Sequence, residues 1–409
     1  NSTNYGKNWI NISNGISKGD FTRVVREDPF RKNLLYAGTQ NGLYVSWDGG
    51  LNWSKLKLNF PVVPITDIII KNNDLVIATQ GRAFWILDDL NLLRQYDGNN
   101  KTGKLFVPKK TIIPNWYSPL NNNKSSGTDL LQGVNPASGM VIYYNLPKLP
   151  KETLIKLSIY DSDNNLVNEY NSTSDKKHIE YEGSPPKPRK ISSNKGLNRF
   201  VWDLRYPLLK GVPKVYIEGR YSGHKAVPGE YKITLSYLNN KHTITTKILN
   251  NPLYSSTEQE YASYNKFMKE GEKIYNEMTE MTVKLYNIQT ELKLLLPTIK
   301  NTKDETFIKE SEKLIQDLEK WDKIMVQRLS KAYDDVENFE NGFTAHYLTL
   351  LNQVDAGLPS LTLGAQKKFI ELNNEWEKYK NIASNLVKKQ IKEFNEVFYK
   401  KGLGVLRLN

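Results

Sequence analysis

The residues best placed to do chemistry are three arginines, a pair of aspartates, a lone aspartate in a glycine turn and four histidines. Arg23, Arg26 and Arg82 could grip the carboxylate of an acidic sugar or peptide, because guanidinium forks match carboxylate geometry. A hydrolase acting on such a sugar also needs a tyrosine–glutamate nucleophile pair and an acid beside the arginines. Asp88 and Asp89 invite a metal reading, but adjacent carboxylates on a strand point to opposite faces. Arg82 with Asp88 and Asp89 reads better as an ion pair closing its repeat. His178, His224, His242 and His346 are scattered, without H-x-x-x-H or H-E-x-x-H spacing, so neither a metal site nor a cofactor is expected. Gly38-Thr39-Gln40-Asn41-Gly42 is a hairpin rather than a phosphate loop, since no helix follows it. No catalytic residue is expected in this chain.

What positions these residues is a turn. Ser46-Trp47-Asp48-Gly49-Gly50-Leu51-Asn52-Trp53 reads S-x-D-x-G-x-x-W. Ser46 and Asp48 can bond backbone N–H groups within a tight turn. Gly50 supplies backbone freedom, and Trp53 drops a large apolar body back onto the sheet. This pattern is an Asp-box. Its carboxylate is used up inside its own turn, which removes Asp48 from the catalytic candidates. The box recurs 44 residues earlier with Asn4 in the acidic position, beside Ser2, Gly6 and Trp9. Downstream, Thr79-Gln80, Ala83-Phe84-Trp85 and Asp88 repeat Thr39-Gln40, Leu43-Tyr44-Val45 and Asp48 at an offset of 40, without the glycine and tryptophan. A period of about 40–45 residues with several short strands is the signature of a propeller blade.

The chain has 409 residues, enough for two to four domains, with 39% hydrophobic residues to build cores. It has no cysteine, hence neither disulfide nor thiolate chemistry. No apolar run reaches a membrane-spanning length, and the Asn-Ser-Thr opening shows no leader pattern. Net charge is +13 from 57 basic and 44 acidic residues. The basic residues are dispersed, so they read as a solvated Lys-rich surface. A nucleic-acid partner is not expected, and attraction to an anionic glycan is the sharper alternative.

Residues 1–95 carry the repeats: strands at Phe21–Arg26, Asn33–Thr39 and Leu43–Ser46, then a buried strand Ile65–Ile70, Leu75–Thr79 and Ala83–Leu87. These make the last blades of a β-propeller. A ring needs about four or more blades, and residue 1 falls inside a hairpin. The expectation is therefore that the missing N-terminal blades lie upstream, in the same polypeptide or a companion chain. Residues 96–139 read as an extended linker anchored by Trp116 and Tyr117. Residues 140–250 alternate like an immunoglobulin-like β-sandwich, with Asp203-Leu204-Arg205-Tyr206 ending a strand. Residues 251–409 form an antiparallel helical bundle with a C-terminal tail. Thr257-x-x-Glu260 caps its first helix, Pro297 is expected to stop it, and further helices cover about 303–330, 342–356 and from Thr362 onward.

The runs Phe21 to Pro29, Leu35 to Thr39, Asn73 to Arg82 and Phe84 to Leu90 resemble the C-terminal part of large bacterial VPS10/sortilin-like, BNR-repeat propeller proteins. Gly196 to Tyr206 and Ala226 to Tyr231 are similar to that family as well. The resemblance implies an exported protein, periplasmic, cell-surface or secreted. It lacks a transmembrane segment, which leaves a membrane-associated assembly open. Many relatives are labelled glycosyl hydrolase because sialidases also carry Asp-boxes, but the sialidase Phe-Arg-Ile-Pro run is absent here. Gln80 stands where the family usually has histidine before Gly-Arg, which removes a proton carrier. Arg23, Gln80 and Arg82 are the candidate propeller-face residues. Two functions follow. One is a non-catalytic binding or scaffold subunit that holds a peptide, protein or glycan. The other is a glycosidase- or peptidase-like hydrolase whose catalytic residues lie upstream.

Overall fold

The computed structural model describes residues 1–96, 102–113, 137–173, 178–357, 359–402 and 406. It shows a mixed β and α chain: four sheets followed by a helical C-terminal region. Trp116, Tyr117 and most of the expected linker lie outside the described residues.

The first sheet is a meander of β1 (Thr22–Glu27), β2 (Leu35–Thr39), β3 (Gly42–Ser46) and β4 (Ser54–Lys55). The second is β5 (Ile65–Lys71), β6 (Asp74–Thr79) and β7 (Phe84–Leu87), followed by the short helix α1 (Asn91–Gln95). The two sheets repeat one another in detail. Each has a bulge near the start of its first strand, between Thr22 and Val24 and between Ile65 and Asp67. In each, the second strand's final threonine bonds the carbonyl at the start of the third: Thr39 Oγ1 to Gly42 O (2.9 Å) and Thr79 Oγ1 to Ala83 O (2.7 Å). Asn33 and Asn73 both take the left-handed conformation that asparagine tolerates in turns. The third strands differ from the sequence expectation by one residue. Tyr36 pairs with Val45 while Val76 pairs with Ile86, an offset of 41. The extra residue sits in the turn at Gly81 and Ala83, both at positive φ.

The sheets share one core, in which Val24, Tyr36, Leu43 and Val45 meet Ile65, Ile68, Leu75 and Ile77. Gly38 makes this close approach possible, since a Cβ there would lie 2.4 Å from Ile65 Cγ2. Arg94 fastens the pair. Its Nε reaches both oxygens of the buried Asp28 at 3.0 Å and its Nη1 donates to Asn73 Oδ1 at 2.6 Å. Among the described residues no ion pair joins Arg82 to Asp88 or Asp89. Those groups sit near a turn, whereas Arg94 leaves α1 directly over Asp28.

Two further sheets share a second core. One is ordered β13 (Gly196–Trp202), β10 (Met140–Leu146), β8 (Lys104–Leu105). The other runs β12 (Leu166–Asn171), β11 (Ile155–Tyr160), β14 (Gly229–Tyr237), β15 (Asn240–Leu249), β9 (Thr111–Ile112). The segment 102–113 thus contributes a strand to each sheet rather than merely connecting domains.

The helical region holds α2 (Glu258–Asn301), α3 (Glu305–Met325), α4 (Phe343–Ala356), α5 (Leu363–Asn385) and α6 (Lys392–Lys400). The capping box forms as expected, with Thr257 and Glu260 bonding each other's backbone N–H. Pro297 does not stop α2, which runs on to Asn301. One lost backbone bond is outweighed because the extra turn buries Ile299 in the core. The second helix is correspondingly shorter than expected and ends at Met325. Gly271 of α2 is where α4 arrives, for a Cβ there would lie 2.6 Å from Leu351 Cδ2. In the tail, Leu406 is buried and exchanges bonds with the Asn395 side chain, while 403–405 and 407–409 lie outside the described residues.

Candidate functional site

The two boxes close with the same bonds. Ser46 Oγ donates to Asp48 Oδ1 (2.7 Å) and accepts from Gly50 N (2.9 Å), and Asp48 Oδ1 accepts from Asn52 N (2.9 Å). Ser2 Oγ donates to Asn4 Oδ1 (3.1 Å) and accepts from Gly6 N (2.7 Å), and Asn4 Oδ1 accepts from Asn8 N (2.9 Å). Burial alone would raise the Asp48 pKa, but bonds from Asn52 and Ser46 outweigh it and hold the carboxyl below its ordinary value. That carboxylate is therefore committed to its turn. The tryptophans part company. Trp53 is 6% exposed, packed on Ala37 and Tyr44, with Nε1 bonded to Ile12 O at 2.6 Å. Trp9 is 75% exposed.

The expected propeller-face residues each have their own partners. Arg23 is held by Gln40 Oε1, through Nε (3.0 Å) and Nη2 (2.6 Å). Arg26 pairs with Asp67 (2.7 Å) across the two sheets. Gln80 occupies the turn equivalent to Gln40, with its N–H on Pro64 O as that of Gln40 is on Phe21 O. Arg82 lends its carbonyl to Trp85 Nε1 (3.0 Å). Among the described residues, no hydrogen bond links Arg23 to Gln80 or Arg82.

Sequence reasoning missed two features. The first is a cleft of about 600 Å³ beside the edge strand β12, lined among others by Asn168, Tyr170, Pro188, Arg189, Asp203 and Arg205. Arg189 lies 3.6 Å from Asp203 Oδ2, and Tyr170 OH reaches Asp203 Oδ1 at 3.5 Å. Burial, then the Asp203 charge, pushes the Tyr170 phenol well up, so it stays a donor. Leu204, fully buried, holds φ +56°, an unusual conformation for a branched residue, between Asp203 and Arg205 at the strand end. The Asp203-Leu204-Arg205-Tyr206 run beside a proline-rich loop was the only signal. The second feature is the outward face of the β5–β7 sheet, where Ile69, Phe84 and Ile86 are 57%, 76% and 60% exposed.

Behind the cleft a buried polar joint ties the sheets to the helices. Arg205 pairs with Asp355 of α4 (2.9 Å), and Tyr264 OH of α2 donates to the same carboxylate (2.6 Å). His224 lies between Glu272 (Nδ1 to Oε2, 2.8 Å) and Asn265 (Nε2 to Oδ1, 3.0 Å), stacked on Tyr206 at 3.9 Å. These groups satisfy one another, so the joint is structural. Among the described residues no group of three or more His, Asp or Glu could hold a metal ion, and no helix is long and apolar enough to cross a membrane.

No family model and no curated protein matches the chain. Two solved structures overlap with it in part. One is the extracellular domain of a one component system from B. thetaiotaomicron, at 12% identity and TM-score 0.14, covering 56% of this chain and 25% of that one. The other is an extracellular domain described as part of a hybrid two component system from B. thetaiotaomicron, at 13% identity and TM-score 0.15, covering 57% and 25%. The chain spans about a quarter of the length of these neighbours, and overlap this slight carries no argument about fold or function.

Proposed function

We propose that this chain is a non-catalytic scaffold and binding part of an exported, propeller-type bacterial protein, its two N-terminal sheets being blades and its two later sheets an immunoglobulin-like sandwich. The observation that carries the reading is the repeat itself. Two boxes close with matching bonds, two meanders share a bulge and a turn, and the Arg23 and Arg26 guanidinium groups are bound within that framework. The sandwich cleft is of ligand size and offers prolines and tyrosine beside Arg189 and Asp203, a mixture suited to a peptide or glycan. The companion blades are its first partner, and the family resemblance supports a periplasmic, cell-surface or secreted location.

The test is a turnover screen of the purified chain and of the native full-length protein with fluorogenic sialoside, fluorogenic glucoside and labelled casein. No turnover above the blank is expected. Turnover by either form that Arg23→Ala or Asp203→Asn abolishes would overturn the non-catalytic reading.

A further inference from the structure

We propose that the outward face of the β5–β7 sheet is a second, unfilled copy of the seam joining the first two sheets. It takes a further sheet of the same repeat, one with glycine or alanine at the position equivalent to Ile65. This rests on the repeat reading above.

The register identifies the face. Gly38 pairs with Val24 and Leu43, and Tyr36 with Val45. Ala78 pairs with Asp67 and Phe84, and Val76 with Ile86. Val76, Ala78, Phe84 and Ile86 therefore stand where Tyr36, Gly38, Leu43 and Val45 stand in the first sheet. There, the four residues lie beneath the second sheet, with Tyr36, Leu43 and Val45 among its core residues. In the second sheet the same positions face outward. The sequence agrees with the missing cover: Ile68-Ile69-Ile70 is a continuous apolar run, the pattern of a strand buried on both faces. Asp67, a charged residue in register with this face, is bonded to Arg26 at the edge.

The other end of the stack shows the complementary deficit. Trp53 is buried on its own sheet, whereas the matching Trp9 is bare. Sheets continuing the array on the N-terminal side of the Ser2–Trp9 box would cover Trp9 and, closing round, reach the β5–β7 face. We infer that closing sheet as the occupant. A second copy of this chain fits poorly. The first sheet's faces are both taken, one by β5–β7 and the other, at Ala37 and Tyr44, by Trp53 and Ile16. The seam also sets a size rule. Ile65 fits against Gly38 only because glycine lacks a Cβ, and Ala78 has one at the equivalent place. An occupant with isoleucine or valine there would clash through the same Cγ2, so glycine or alanine is required.

The absence of cysteine makes the test direct. Phe84→Cys and, as an exposed control, Lys187→Cys are introduced singly into the 409-residue chain and into the native full-length protein, and maleimide labelling rates are measured. In the isolated chain both thiols should label at similar rates, with the melting profile of the parent. In the native protein the Phe84→Cys thiol should slow at least tenfold while the control keeps its rate. Adding Ala78→Val should restore fast labelling in the native protein only. A photo-crosslinker at position 84 should map to a strand of the same repeat, with a small residue at the Ile65-equivalent position. Equal labelling in both forms overturns the proposal. So does a crosslink to position 84 of another copy or to a helix. Turnover in the substrate screen would sink the non-catalytic reading and leave these rates unmoved.

Discussion

Trp53→Ala and Trp9→Ala make a matched pair, because the two tryptophans end boxes with the same internal bonds but differ twelvefold in exposure. A tryptophan buries about 150–250 Å², and at roughly 25 cal/mol per Å² that is about 4–6 kcal/mol as an upper estimate. Trp53 has nearly all of it, packed on Ala37, Tyr44 and Ile16, and adds the Nε1 bond to Ile12 O. Truncation should therefore cost about 3–5 kcal/mol. Trp9 has a quarter of its surface covered, so its truncation should cost less than about 1 kcal/mol. A chain with several cores need not melt in one step, so the readout is amide hydrogen exchange at β2 and β3. A difference of about 3 kcal/mol is on the order of 100-fold in protection. Trp53→Ala should lose that much at Ala37 and Tyr44, and Trp9→Ala should leave those amides unchanged. Equal effects, or a larger one for Trp9, would refute the idea that the indole pins its box to the sheet.

The remaining predictions test other joints. Gly50→Ala should destabilise the first sheet more than Gly6→Ala. Both positions have positive φ, but a Cβ on Gly50 would lie 2.6 Å from Ile12 Cδ1 while one on Gly6 meets only the Trp9 ring at 3.7 Å; local exchange measures the gap. Asp48 has a folded pKa below its unfolded value, so its contribution is present above the unfolded pKa and lost as pH falls through the folded one. Asp48→Asn should remove that acid sensitivity from β3 exchange. Removing one partner of the buried Arg205–Asp355 pair, as Asp355→Asn, should cost about 3–5 kcal/mol and loosen the sheets from α4, read by exchange at Arg205 and Lys225. Burial lowers the Lys225 pKa to about 8. The unfolded chain then binds more protons above that pH, so stability should rise from about pH 8 toward 10, below the range where the buried tyrosines ionise. Lys225→Met should flatten the rise in a denaturation series.

What could be read from the sequence was what its neighbours in sequence determine. Ser46, Asp48 and Gly50 bond only one another's turn, and Thr257 and Glu260 only each other's backbone, so type and spacing sufficed. Pro297 misled because its local cost was visible while the burial of Ile299, one turn on, was not. The third strand of the second repeat slipped by one because the insertion falls in a turn, where sequence carries no periodicity. Arg23, Gln80 and Arg82 were grouped by the repeat alone, but Arg23 bonds Gln40 of its own sheet and Arg82 lends its carbonyl to Trp85. The polar joint was out of reach altogether: His224 meets Glu272 across 48 positions, and Arg205 meets Asp355 across 150.

The anchoring of the second sheet bears on how it would recognise a partner. Asn91 Nδ2 and Gln95 Nε2 both donate to Val107 O (2.7 and 2.9 Å), and Val107 N returns a bond to Gln95 Oε1 (2.8 Å). Val107 follows β8, which pairs with β10, so the bonds of α1 run directly into the sheets of the second core. On its other side the same sheet is held by Arg94 to Asp28 and Asn73. The sheets of the second core are in turn locked to α2 and α4 by Tyr264, Asp355 and Arg205. The bare face of Ile69, Val76, Phe84 and Ile86 is thus presented on a strand framework that is bonded from two sides. Association with such a face orders few new groups, which lowers one of the costs set against apolar burial in binding. A third sheet would meet the same kind of apolar face that the second presents to the first through Ile65, Leu75 and Ile77.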